Sequence, residues 1–170
     1  MRRAVCPGSF DPVTKGHIDI FERASAMFDE IIISVFHNPG KDNATFSMDE
    51  RVEMLREATA HIPNVRVTAF SGLLNDFCRK EEAFFIVRGL RAFTDFEYEF
   101  QRALLLKKID EQLETVFIMT NAKYSFVSSS GVRELATFGG KLSDLVPECV
   151  EKRVKEHTYK KFEERTETEK

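Results

Sequence analysis

Two apolar periods alternate along this chain, and that alternation restricts its fold more than any other feature. Short β-rich runs occur at 4–6 (AVC), 31–36 (IIISVF), 65–70 (VRVTAF), 83–89 (AFFIVRG) and 115–120 (TVFIMT). Between them apolar residues recur at helical spacing. Ile18, Phe21, Ala24 and Phe28 form one stripe; Val52, Leu55 and Ala58, flanked by Met48 and Ile62, form a second. Leu73, Leu74 and Phe77 begin a third, and Phe96, Phe100, Ala103 and Leu104 carry a fourth. Strands alternating with helices predict a parallel sheet covered on both faces. IIISVF and FFIV are apolar enough to be buried on both sides. The expected architecture is α/β: a doubly wound, Rossmann-like, five-stranded parallel sheet with helices on both faces. At 170 residues the chain has room for one well-buried core, hence a single domain. That domain is expected over 1–158, followed by a charged tail, 159–170, frayed or loosely docked from His157 onward.

Local signals place several helix ends. Ser47-Met48-Asp49-Glu50 and Thr94-Asp95-Phe96-Glu97 both fit a capping box, in which hydroxyl and carboxylate satisfy each other's backbone N–H groups. A fifth helix is expected from about Ser129 through Val132, Leu135 and Ala136, ended by Gly139-Gly140, with a further helix after Pro147. A net charge of −3 gives no nucleic-acid footprint, so an anionic ligand needs a local cluster of bases. Cys6, Cys78 and Cys149 show no metal-ligand spacing, and no apolar run is long enough for a bilayer. MRRAVCPG lacks the apolar stretch of a signal peptide. These features predict a reduced, cytoplasmic protein with no membrane or nucleic-acid partner.

In open α/β sheets ligands bind beyond the carboxyl ends of the strands. There the sequence places GSFDPVTKGH, HNPGKD, RGLRAFTDFEYE and TNAKYSFVSSSGVR. None is a GxxxxGK[ST] or GxGxxG loop. Instead, Gly8 leaves space for a close ligand beside the Ser9 hydroxyl, and His17 stands at the first turn of a helix, where N–H groups favour an anion. Arg88 and Arg91 flank a glycine after the fourth strand, with guanidinium forks suited to phosphate. Ser128, Ser129 and Ser130 supply more hydroxyls than one N-cap needs and suit a polyphosphate at a helix start. Lys41 and Glu99 read equally well as solvated charges. No Ser/His/Asp or Cys/His relay and no carboxylate metal cage is readable. Donors without a nucleophile point to phosphoryl or nucleotidyl transfer, in which the protein positions reactants and stabilises charge.

Thr14-Lys15-Gly16-His17 resembles the [TH]-x-G-H signature of the nucleotidylyltransferase superfamily, and SSSGVR its serine-rich second signature. PGSFDPVTKGHIDI, IVRGLRAFTDFEYE and YSFVSSSGVRE closely resemble the bacterial phosphopantetheine adenylyltransferases, over nearly the whole chain from Ala4 to the Pro147 region. The resemblance implies AMP transfer from ATP to 4′-phosphopantetheine, yielding dephospho-coenzyme A and pyrophosphate. It also implies Mg²⁺ dependence, a homohexamer and feedback inhibition by coenzyme A. Carried over by position, His17, Lys41, Arg88 and Arg91 would be catalytic, and Ser9, Lys41, Leu74 and Arg88 would hold phosphopantetheine. ATP would lie against Ser9, Phe10, His17, Gly89, Leu90, Arg91, Glu99, Tyr124, Ser125, Phe126, Val127, Ser128, Ser129 and Ser130. No residue is assigned as a metal ligand. Three other readings stay open on the residues: a nucleotidylyltransferase with another phosphorylated acceptor, a fragment of a class I aminoacyl-tRNA synthetase, and a catalytically idle nucleotide-binding module on the same fold.

Overall fold

Consecutive isoleucines decide how the layers assemble. The computed structural model describes residues 1–36 and 44–168, with 160–168 as backbone only. In it β1 (Arg3–Gly8), β2 (Glu30–Phe36), β3 (Val65–Phe70), β4 (Phe85–Leu90) and β5 (Glu114–Met119) form one parallel sheet in the order β3-β2-β1-β4-β5. Ala4 stands opposite Ile31 and Phe85, and Val5 opposite Ile32 and Ile86. Side chains alternate across the sheet, so Ile31 and Ile33 enter one core and Ile32 the other, all fully buried. Each such burial is worth about 1.5–3 kcal/mol, which is why the strand needs an unbroken apolar run.

The helices are α1 (Lys15–Ser25), α2 (Met48–Ala58), α3 (Leu74–Lys80), α4 (Phe93–Ile109), α5 (Ser129–Thr137) and α6 (Glu148–Thr168). The larger core joins Ile18 and Phe21 of α1, Val52 and Leu55 of α2, Val132 of α5, and Val150 and Val154 of α6 to one sheet face. The smaller holds Phe77 and Cys78 of α3 on the other face, with Leu106 of α4 against it. The chain runs outward from β1 to β3, then returns to set β4 beside β1. The two strands therefore diverge at their carboxyl ends, the place where such sheets open a crevice.

The capping box at Ser47 forms: the Glu50 N–H donates to Ser47 Oγ at 3.2 Å, and the Ser47 N–H to Glu50 Oε2 at 2.8 Å. The one expected at Thr94 does not. α4 begins at Phe93 after Ala92, which makes no side-chain cap bond. Asp95 reaches back instead, accepting from the Arg91 N–H at 3.3 Å and Arg91 Nε at 3.1 Å, and this pair starts the helix earlier.

Three further expectations need correction. Phe28 is buried but lies past the end of α1. The fourth apolar stripe does not sink into the sheet: no residue of α4 is buried, and Phe96, Phe100 and Leu104 are 38, 44 and 55% exposed. Phe96 meets Phe117 of β5 edge-on, so only the inner margin of the stripe touches the sheet. The tail expected to fray from His157 is helical to Thr168. Val150 and Val154 dock that helix, Arg153 pairs with Glu53 and Glu57 of α2, and Lys and Glu favour helical continuation.

Candidate active site

A cavity of about 650 Å³ opens where β1 and β4 diverge. Ser9, Phe10, His17, Arg88, Gly89, Arg91, Glu99 and the run Val127–Ser130 all line it, so loops distant in sequence converge there. Leu90 is buried outside the lining, as the last residue of β4. Leu74 packs at the start of α3 on the smaller core, and Tyr124 packs against the larger one. Ser125 and Phe126 also lie outside the lining, Phe126 being 74% exposed. Lys41 lies outside the described residues.

His17 is oriented by its helix start. Thr14 caps α1, its Oγ1 accepting from the His17 N–H at 3.4 Å. The Thr14 N–H in turn donates to His17 Nδ1 at 3.0 Å. A backbone N–H can only donate, so Nδ1 presents its lone pair and the proton of the neutral ring sits on Nε2. Burial chiefly, and then the charges of Arg91 and Arg88, lower the His17 pKa from 6.5 to about 4. At neutral pH His17 is therefore an uncharged Nε2–H donor. Phe10 meets its ring edge-on at a centroid distance of 5.1 Å, and Phe21 stacks at 6.5 Å.

Gly8 serves a purpose beyond the one expected. A Cβ there would lie 2.6 Å from the Phe10 ring, so the missing side chain makes room for Phe10 at the wall of the cavity. Phe10 has φ 46°, a left-handed conformation unusual for a bulky residue. Its neighbour is held from behind: Arg51 Nη1 donates to the Ser9 carbonyl at 3.0 Å. Asp11 accepts from the Thr45 and Phe46 N–H groups, each at 2.9 Å.

The arginines arrive already partnered. Arg88 donates through Nε and Nη2 to both oxygens of Glu99 at 2.7 and 2.5 Å, and through Nη1 to the Pro7 carbonyl at 2.5 Å. Its remaining N–H groups are left for a phosphate. Glu99, expected against ATP, lines the cavity and is also the carboxylate that aims Arg88. Arg91 donates to Asp95 and, at 3.1 Å, to the Val127 carbonyl. Of the three serines, Ser128 caps α5 by accepting from the Gly131 N–H at 3.0 Å, Ser129 donates to the Pro12 carbonyl at 2.7 Å, and Ser130 lies 3.2 Å from Ser128 Oγ. The first N–H groups of α5 remain for an anion.

Sequence reasoning did not assign Arg133, which also lines the cavity and donates to the Asp11 carbonyl. The signal was its place one turn beyond the serines. Arg51 and Asp11 were missed as well. Nothing in SMDERVEML separates a buried arginine from one on a solvated helix face.

An α/β sheet with a donor-rich cavity at its switch point, holding a neutral histidine and two aimed arginines, has the build of a nucleotidyltransferase. The model of the cytidylyltransferase-like family matches residues 5–135. A structure from Vibrio parahaemolyticus described as a "putative nicotinate-nucleotide adenylyltransferase" superposes with a TM-score of 0.68 at 17% identity, covering 91% of this chain and 99% of that one, which shows the fold. Phosphopantetheine adenylyltransferase of Heliobacterium modesticaldum is 57% identical over 92% of each chain. That of Clostridium botulinum strain 657 is 53% identical over 87% of this chain and 90% of its own. The chain belongs to the phosphopantetheine adenylyltransferase family.

Proposed function

We propose that this cavity transfers the adenylyl group of ATP to 4′-phosphopantetheine, giving dephospho-coenzyme A and pyrophosphate, by direct in-line attack. The observation that carries the reading is the reciprocal Thr14–His17 cap, which fixes a neutral donor on a residue that lines the same cavity as Arg88 and Arg91. A phosphate monoester, with a second pKa of about 6, is largely a dianion at neutral pH and needs no general base. Its oxygen attacks the α-phosphorus, the bond to the bridging oxygen breaks, and that electron pair leaves with pyrophosphate. No proton moves and no enzyme nucleophile takes part. His17 Nε2–H donates to the α-phosphate oxygens as charge builds on them. Arg88, with Lys41, holds the acceptor phosphate, while Arg91 and the start of α5 hold the leaving phosphates.

Mg²⁺ fits here as an ion carried by the substrate. Among the described residues no group of His, Cys, Asp and Glu could hold a metal, and Asp95 and Glu99 in the cavity face arginines. The ion would be held by triphosphate oxygens and water, where it would offset repulsion between the two anions. Coenzyme A shares both halves of the product, so it would compete for the same cavity as a feedback inhibitor. The assembly we propose is a homohexamer, and the exposed apolar margin of α4 supports self-association. The free cysteines Cys6, Cys78 and Cys149 support a reducing cytoplasm, and no described helix is long and apolar enough to cross a membrane.

The test is pyrophosphate release from ATP and Mg²⁺ with 4′-phosphopantetheine, run beside nicotinamide mononucleotide, flavin mononucleotide and glycerol 3-phosphate. Turnover is expected with the first alone. Absence of turnover with it, or a clear preference for another acceptor, overturns the reading.

A further inference from the structure

Arg51 is an oddly placed charge. It lies in the first turns of α2, is 6% exposed, and does not line the cavity. Among the described residues no carboxylate pairs with it. Its Nε donates to the Ser47 carbonyl at 3.2 Å and its Nη1 to the Ser9 carbonyl at 3.0 Å. A guanidinium withdrawn from water onto two carbonyls is costly to bury, and an apolar side chain of similar length would fill the same core position more cheaply.

What the contact secures is the backbone between β1 and α1. Ser9 precedes Phe10, whose left-handed φ of 46° would relax if the peptide before it could turn. Phe10 in turn lies against the His17 ring. The strap is crossed: Arg51 of α2 reaches to the first loop, while buried Asp11 of the first loop takes the Thr45 and Phe46 N–H groups that lead into α2. Three bonds, one reaching from α2 and two accepted by the loop, fix the loop after β1 against the start of α2.

We infer that Arg51 is a positioning residue for adenylyl transfer, acting through the Ser9 carbonyl to hold Ser9 and Phe10 in the geometry the substrates require. The inference rests on the adenylyltransferase reading of the cavity.

Arg51→Lys keeps the cation but cannot reach both carbonyls in a fork; Arg51→Gln removes the charge. In both, kcat per folded molecule should fall by roughly 10–100-fold, the range expected when a reacting group is misplaced by about 1 Å, with KM for ATP changed less than about threefold. A purely structural arginine would lower the melting temperature and leave kcat alone. In the wild-type protein, labelled with ¹⁵N at arginine, the Arg51 Nη1–H resonance, whose donor meets the Ser9 carbonyl, should shift when a non-hydrolysable ATP analogue is added, so the test does not depend on a variant that folds. A kcat within twofold of wild type in R51K, or an unmoved resonance, overturns the inference. If wild-type protein turns over, that result leaves the reaction assignment intact; a wild-type protein without turnover refutes the assignment itself.

Discussion

His17 is held neutral by its surroundings, and two outcomes follow at this one residue. On the proposed mechanism, replacing it with Ala removes a donor needed most in the transition state, so kcat should fall by roughly 10²–10³-fold while ATP affinity changes less. Steady-state kinetics paired with calorimetric titration of ATP separate the two. The second outcome concerns pH. Folding lowers the His17 pKa from 6.5 to about 4, so between those values the unfolded chain binds a proton that the folded one refuses. This contribution is fully present above pH 6.5 and is lost as pH falls toward 4, a loss on the order of 3 kcal/mol. Urea unfolding at pH 7 and pH 4.5 should show a steep loss in wild type and a shallower one in His17→Gln. Activity follows another group: because His17 stays neutral well below pH 6, an acid limb near 6 in kcat/KM belongs to the second ionisation of the acceptor phosphate.

Helix starts explain both what could be read from the sequence and what could not. The strands, their shared ligand edge and the loops that converge there were legible, because IIISVF and FFIV show burial on two faces and glycine, histidine, arginine and serine recur just beyond the strands. The capping box at Ser47 was legible for the same reason, being a local exchange of two bonds. Contacts between distant elements were not. Thr14-x-x-His17 is also a capping box, but the imidazole stands where a carboxylate is usual, so its tautomer emerged only from the folded chain. The span from Arg88 to Glu99 hides a bidentate pair, since α4 must first fold back along β4. Glu99→Gln tests that pair. Loss of a charge-assisted interaction worth about 1.5–3 kcal/mol should lower kcat/KM for phosphopantetheine by roughly 10–100-fold, with KM for ATP little changed. Tighter acceptor binding would mean that the carboxylate competes with the substrate and does not aim the arginine.

Across the whole molecule the two faces of the sheet are unequally covered. α1, α2, α5 and α6 share the larger core, whereas α4 contributes Leu106 to the margin of the smaller one and leaves Phe93, Phe96, Phe100, Leu104 and Leu105 exposed. So large an exposed apolar margin marks an interaction surface. Introducing Leu104→Glu and Leu105→Glu together should yield a smaller particle by light scattering, with the circular dichroism of the folded chain retained. An unchanged mass would place the contacts elsewhere. The Arg88–Glu99 pair gives this asymmetry an enzymatic meaning. The carboxylate that aims an active-site arginine is borne by the helix with the least anchorage in its own subunit. On the proposed assembly, in which neighbouring copies cover α4 and steady that carboxylate, specific activity should fall on dilution, with a lag on reconcentration.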